Sequence, residues 1–266
     1  MAPTGTKPLA VVTGASDGIG YELARVFADN GFDLVVCAED GGIVEAAQAF
    51  AASGARVESV QADLATYEGN ERLVERVRSL GRPVDALALN AGIGVGGPFI
   101  ETDLEADLRL IALNIGSPVH LAKRFLPEMV RRGSGRVLIT SSIASTMPAP
   151  FEATYGGSKA FDQSFAQALR EELKETGVTV TSLMPGPTET NFFHRAGLDD
   201  TKVGAAEKDD PGKVALQGFE ALMAGKDHVV AGSLKNRVQA MGAKVLPETA
   251  KAKLHRDMAE PGSAKK

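Results

Sequence analysis

A phenol, an ammonium and a hydroxyl stand in this chain at spacings that suit proton transfer. Tyr155 and Lys159, in "YGGSK", are four residues apart, so a helix would set both on one face. Ser142 ends the strand-like run "GRVLITSS" (Gly135–Ser142), thirteen residues before Tyr155. A free tyrosine titrates at about 10 and is a poor base at neutral pH. A nearby ammonium favours the phenolate and lowers that pKa. Tyr155 can then act as acid/base toward an alcohol or carbonyl oxygen, with Lys159 as its electrostatic partner and Ser142 donating to the same oxygen. Asn114, inside a helical stretch where Asn is a mediocre helix former, is a fourth polar candidate. Taken singly, each has a plain reading: a helix-face Tyr/Lys pair, a capping serine, a solvated Asn. All four plain readings holding together at these spacings is a poor account of the pattern.

A second constellation is "TGASDGIG" (Thr13–Gly20), which follows the apolar run "LAVV" and packs three glycines into seven residues. Between a strand and a helix, such a loop lies where unpaired N–H groups and a partial positive charge meet. A pyrophosphate fits there if the backbone can approach it closely, which favours glycine over alanine. This nominates Gly14, Ser16, Asp17, Gly18, Ile19 and Gly20 as cofactor contacts. The spacing is G-x-x-x-G-x-G rather than G-x-G-x-x-G, and a tight turn alone would explain the loop equally well. "NAG" (Asn90–Gly92) closes a fourth strand-like run, the end at which open α/β sheets collect ligands; Asn90, Ala91 and Gly92 join the candidates.

The elements that must hold these residues alternate along the chain. Strand-like runs at Leu9–Thr13, Asp33–Ala38, Arg56–Asp63, Val84–Asn90, Gly135–Ser142 and Val178–Pro185 are separated by helical patterns. One helix closes near Gly31; others cover about 43–52, 68–80, 103–132 (bent or restarted by Pro118 and Pro127) and 154–175. This rhythm predicts an α/β fold: one Rossmann-like, doubly wound parallel β-sheet with helices on both faces, a single domain over 1–266. "AEPGSAKK" (259–266) reads as a mobile tail. The net charge of -5 offers no bulk attraction to nucleic acid. The single cysteine, Cys37, lies in a strand-like run, reads as a small buried hydrophobe and fits a reducing compartment. A polar start without a leader-like run and no long apolar segment point to a soluble, cytoplasmic protein. His120, His194, His228 and His255 lack metal-ligand spacing, so no metal is expected; His194 is placed beside the expected pocket.

"TGASDGIG", Asp63-Leu64, "NAG", "LNIG" with Asn114, Ser142, Tyr155-x-x-x-Lys159 and "PGPTET" run in the order and spacing of the short-chain dehydrogenase/reductase family, which the chain resembles from about residue 9 to 190. The resemblance implies hydride transfer between a nicotinamide cofactor and a secondary alcohol or ketone. It also implies that Lys159 bonds the nicotinamide ribose beside Tyr155, and that Asn114 holds a relay water. Asp63 and Leu64 would contact the cofactor, with Pro185, Gly186, Thr188 and Thr190 around its carboxamide and phosphates. A mobile substrate lid is implied over 190–210. Phe192 and Phe193 there, with Met147, Pro148 and Phe151, suggest an apolar pocket wall. The family's NAD-type acidic position is Ala38 here, and its NADP-type arginine position is Glu39. Asp17, Glu39 and Asp40 would repel a 2′-phosphate, so NAD is favoured; NADP stays open if a cation such as Arg56 meets it. Relatives pair the long helices carrying Asn114 and Tyr155, which implies a homo-oligomer, a tetramer or dimer. A non-catalytic dinucleotide-binding sensor or scaffold, or a lyase or epimerase using NAD, are the alternatives.

Overall fold

The computed structural model describes residues 7–233 and 246–265 of the 266-residue chain. The first residues of the polar start and the last residue of the expected tail lie outside them. Seven strands, β1 (Leu9–Thr13), β2 (Asp33–Ala38), β3 (Val57–Gln61), β4 (Ala86–Leu89), β5 (Gly135–Thr140), β6 (Val178–Pro185) and β7 (His228–Ala231), form one sheet ordered β3-β2-β1-β4-β5-β6-β7. Every pairing is parallel, with Val11 of β1 opposite Val35 on one side and Leu87 on the other. β1, β2 and β4 are buried along their whole length, which explains their unbroken apolar runs.

Helices cover both faces. α1 (Gly18–Asp29), α2 (Gly42–Ala51) and α9 (Pro211–Met223) bury Leu23, Phe27, Phe50 and Phe219 against one side. α3 (Tyr67–Ser79), α5 (Ser117–Arg132) and α6 (Ala153–Glu172) bury Leu73, Leu121, Phe125 and Ala166 against the other. The fold class expected from alternation is the one observed. Among the described residues, no helix is long and apolar enough to cross a membrane. Cys37 is fully buried, and burial pushes its thiol up to about 12.

Three local features refine or correct the sequence expectation. The helical stretch 103–132 is α4 (Leu104–Ile111), a π turn (Ala112–Gly116) and α5. The helix restarts at Ser117–Pro118, as the proline leads one to expect, because Pro118 has no N–H to give to Asn114 O and the ladder widens into a π turn just before it. Pro127 lies inside α5. The stretch 190–210 carries two short helices, α7 (Phe192–Arg195) and α8 (Lys202–Ala205).

The supposed tail is packed rather than loose up to residue 265. α10 (Glu248–Ala259) leads into a 3₁₀ turn (Ser263–Lys265) whose Ser263 is buried. Ser263 Oγ accepts from Lys202 N at 2.9 Å, and Asp200 takes the Gly262 and Ala264 N–H groups, both at 2.9 Å. Small polar residues that look like a tail in isolation here satisfy backbone groups of the lid.

Strand order reverses between β1 and β4, and their carboxyl ends open a crevice. Thr13 clasps it. Its buried Oγ1 accepts from Asn90 N (2.9 Å) and Ala91 N (3.1 Å) and donates to Ala88 O (3.3 Å). Thr13→Val keeps the shape but orphans two N–H donors, at about 1–3 kcal/mol for an unsatisfied buried group. Urea unfolding is expected to show a loss of about 2 kcal/mol or more for Thr13→Val and a much smaller loss for Thr13→Ser.

Candidate functional site

The crevice widens into a cleft of about 1750 Å³, counting its solvent-open mouth, enough for a dinucleotide and a small substrate together. Every catalytic and cofactor-contact candidate from the sequence except Asn114 lines it. Its phosphate end is the β1–α1 turn. Gly14 has φ 68, and a Cβ there would lie 2.9 Å from Ala91 Cα. A Cβ at Gly20 would lie 1.9 Å from Gly14 O. Gly18 faces Thr190 of the lid. These glycines are therefore required first by the protein's own close approaches, a reason the phosphate argument missed. The bare turn that results is a cradle that a dinucleotide pyrophosphate fits. Asp17 caps α1 through Gly18 N (2.7 Å), and its other oxygen takes Asn191 Nδ2 of the lid (2.7 Å).

At the centre, β5 and α6 bring the chemical candidates together. Ser142 follows β5; its Oγ accepts from Ala144 N (3.1 Å) and shares the cleft wall with Tyr155. Lys159 is buried, its Nζ donating to Thr140 O (2.8 Å) and Asp162 Oδ2 (3.0 Å). The ammonium lies 6.0 Å from the Tyr155 ring centroid. Here the structure corrects the expectation of a lowered phenol pKa. Burial, with the Glu152 carboxylate adding to it, raises Tyr155 above its ordinary value, and Lys159 spends its charge on Asp162. Burial in turn outweighs the lysine's pull and pushes the Asp162 carboxyl up.

Asn114 is 0% exposed and stands behind the cleft wall. Its Oδ1 accepts from Ile93 N (3.0 Å), and its Nδ2 donates to Ile93 O (2.9 Å) and Ser158 Oγ (3.0 Å). A Cβ at Gly92 would lie 3.2 Å from Asn114 Oδ1 and 3.5 Å from Lys159 Nζ, so Gly92 keeps open the space between them.

The far end of the cleft overturns one electrostatic premise. Arg109, from α4, bridges Glu39 (2.9 Å) and Asp63 (2.8 Å). The Arg109 hydrogen bond is the chief reason Asp63 is held below its ordinary pKa. Asp40 accepts from Ser16 Oγ (2.7 Å) and Gly42 N (2.9 Å), while Asp17 faces the lid. The three acids are thus not an uncompensated cluster. Arg56, the cation weighed from sequence, sits at the amino edge of the sheet, its N–H on Asp33 at the start of β2. Parallel strands put that edge opposite the cleft.

Of the expected apolar wall, Met147, Phe192 and Phe193 line the cleft, whereas Pro148 and Phe151 do not. Phe151 turns away at φ 67, with the Arg256 guanidinium 5.3 Å from its ring centroid. His194 is exposed and bonds Asp199 (2.7 Å). The histidine in the cleft is His255 of α10, beside Met258 and the buried Glu152. No motif marked Glu152, His255, Asp162 or Arg109. The one sequence signal was an acid three residues before Tyr155, on the same helix face.

Comparison with known proteins agrees with this geometry. A family model described as short chain dehydrogenase matches residues 8–200. The bovine protein named dehydrogenase/reductase SDR family member 7B is 34% identical over 237 residues, covering 86% of this chain and 71% of its own. The uncharacterized oxidoreductase YmfI of Bacillus subtilis is 31% identical over 189 residues, covering 70% of this chain and 77% of its own. Among solved structures, a short-chain dehydrogenase from Sphingobium yanoikuyae in complex with NADPH superposes with a TM-score of 0.80. It is 29% identical, and the match covers 94% of this chain and 96% of that one. The parallel sheet, the glycine turn and the matched span together place this chain in the short-chain dehydrogenase family of oxidoreductases.

Proposed function

We propose that this protein is an NAD(P)-dependent oxidoreductase moving hydride between a nicotinamide cofactor and a secondary alcohol or ketone, with Tyr155 as acid/base. The observation that carries this reading is that Tyr155, Ser142 and Lys159 line one cleft wall where the bare glycine cradle meets an apolar pocket. The chemistry a bound dinucleotide supplies is the hydride; the chain's own residues must manage the proton. The buried phenol is protonated at neutral pH, so it carries the proton that a carbonyl oxygen would take as hydride arrives. Ser142 Oγ supports the same oxygen. Lys159 and Asn114 face the space at Gly92, where a water would connect them and restore the proton.

The contact roles carried over for Asp63, Leu64, Asn90, Pro185, Gly186, Thr188 and Thr190 belong to this proposal and are supported by their place on the cleft wall. The cofactor preference is for NAD(H). What supports this is that Glu39 follows β2 on the cleft wall, and that Glu39 and Asp63 outnumber the Arg109 that bridges them. A homo-oligomer is also proposed. Phe99, Ile100, Leu104, Leu108 and Ile111 are exposed on and before α4, and Phe161 stacks on Phe165 along half-buried α6 at 5.5 Å.

Tyr155→Phe is expected to fold normally by circular dichroism and to lower kcat for ketone reduction by about 10²–10⁴-fold. Near-normal turnover would sink the acid/base role. In parallel fluorescence titrations, NADH is expected to bind more tightly than NADPH, and Glu39→Arg to narrow or reverse the difference, since two guanidinium groups would then face the phosphate. Tighter NADPH binding by the wild type would mean that Arg109 reads the phosphate instead. Light scattering at micromolar concentration is expected to give a tetrameric or dimeric mass, and a monomer would refute the oligomer.

A further inference from the structure

We propose that Glu152 and His255 form a polar anchor in the substrate pocket, and that the substrate is an otherwise apolar ketone or secondary alcohol bearing a hydrogen-bond donor, a hydroxyl or a protonated amine, a few bonds from the reacting carbon. The proposal rests on the oxidoreductase reading above. Its starting point is a cost. Glu152 is 6% exposed, yet it lines the cleft among Met147, Phe192 and Met258. A carboxylate withdrawn from water on an apolar wall is unfavourable unless something donates to it.

The backbone is built to hold it there. Glu152 occupies the cap position of α6 without capping it: no side-chain bond to the helix is made. The residue before it, Phe151, is at φ 67, in the left-handed region that bulky residues avoid. Phe151 O accepts from Gly97 N at 2.8 Å, and the Arg256 guanidinium lies against its ring, so contacts from two other segments hold this strained turn. The turn delivers Glu152 into the pocket one helical turn before Tyr155.

His255 completes the arrangement. Its Nδ1 lies 3.1 Å from Pro150 O, which can only accept, so that nitrogen carries the proton. Its Nε2 lies 3.5 Å from Glu152 Oε2. Burial holds the ring below its ordinary pKa and thus neutral, which leaves Nε2 a lone-pair acceptor. Two acceptors therefore converge and need a donor between them. Burial pushes Glu152 up to about 7, so near neutrality the carboxyl exchanges its own proton readily and a ligand's donor can take that place.

Among the described residues, Lys159 and Arg256 nearby are committed elsewhere. Lys159 bonds Asp162, and Arg256 bonds Glu260 and covers Phe151. The donor that fits is a ligand's O–H or N–H. Residues three apart on a helix have Cβ atoms about 5–6 Å from each other, so the donor belongs a few bonds from the oxygen held by Tyr155.

The test is a matched series of methyl ketones carrying a terminal methyl, hydroxyl or ammonium on a linker of one to three methylenes. Each is assayed for kcat/KM with NADH and NADPH, and for the rise in melting temperature it causes in the cofactor-bound protein. At one linker length, a donor-bearing ketone is expected to exceed its methyl analogue by about tenfold or more, mainly through KM, as a hydrogen bond to a charged group allows. Advantage for the ammonium alone supports an ionised anchor, and advantage for both donors supports a shared-proton anchor. Glu152→Met and His255→Leu, checked for folding by circular dichroism, are expected to bring the donor-to-methyl ratio close to one. Equal kcat/KM and equal melting shifts across the wild-type series would overturn the anchor, as would a donor advantage that persists in both folded variants. Turnover of none of the ketones would count against the oxidoreductase reading. The melting shifts would still judge the anchor independently.

Discussion

A buried ammonium sets the conditions for the rest of this site. Lys159 is 5% exposed, and a charge so far from water must be met by groups arranged around it. Asp162 supplies the opposite charge and Thr140 O a carbonyl, while Ser141 Oγ donates back to Lys159 O at 2.8 Å. These bonds rivet α6 to the carboxyl end of β5. Ser142 is the next residue along, and Tyr155 is one turn back on α6, so the same rivet fixes the distance between hydroxyl and phenol. The ion pair also limits what Lys159 does for Tyr155. Its field is largely answered by Asp162, and the phenol stays protonated in the resting protein.

Charge at the other end of the cleft follows the same logic with less burial. Arg109 reaches across from α4 to join the ends of β2 and β3 through Glu39 and Asp63. Exposed pairs of this kind contribute little stability, about 0–1 kcal/mol each. Their effect here is positional: they fix where acid and guanidinium stand relative to a ribose. A cofactor preference read from acidic residues alone ignores the cation that a distant helix brings among them.

That contrast explains what was legible in the sequence. Parallel strands buried on both faces must be apolar throughout, so β1, β2 and β4 announced themselves. Tyr155 and Lys159 were legible because helix geometry converts a spacing of four into a shared face. The glycine turn was legible as a turn, although its strongest reason, the approach of Gly20 to Gly14 O, is a tertiary fact. Arg109, Glu152, Asp162 and His255 were not legible as members of a site. Each lies on an ordinary helix or cap position, and each acquires its role from a partner far away in sequence or from burial that no local pattern reports. The packed carboxyl-terminal turn was misread for the same reason. Gly262 and Ser263 look loose until Asp200 and Lys202 are known to lie against them.

The segment from Thr190 to Ala205 joins these separate regions through its contacts. At one end Asn191 is bonded to Asp17, the residue that caps α1, and Thr190 lies over Gly18. At the other end Asp200 and Lys202 hold the terminal 3₁₀ turn, which follows the helix carrying His255. Between them Phe192 packs on Tyr155 with ring centroids 5.1 Å apart, and Phe193 is buried with Ala196 and Leu198. A displacement of this segment would therefore break the Asp17–Asn191 bond at the glycine turn, uncover the phenol and pull on the helix that carries His255. The glycine turn, Tyr155 and the helix carrying His255 are coupled through one short segment, which a glycine turn and a buried ion pair alone would not achieve.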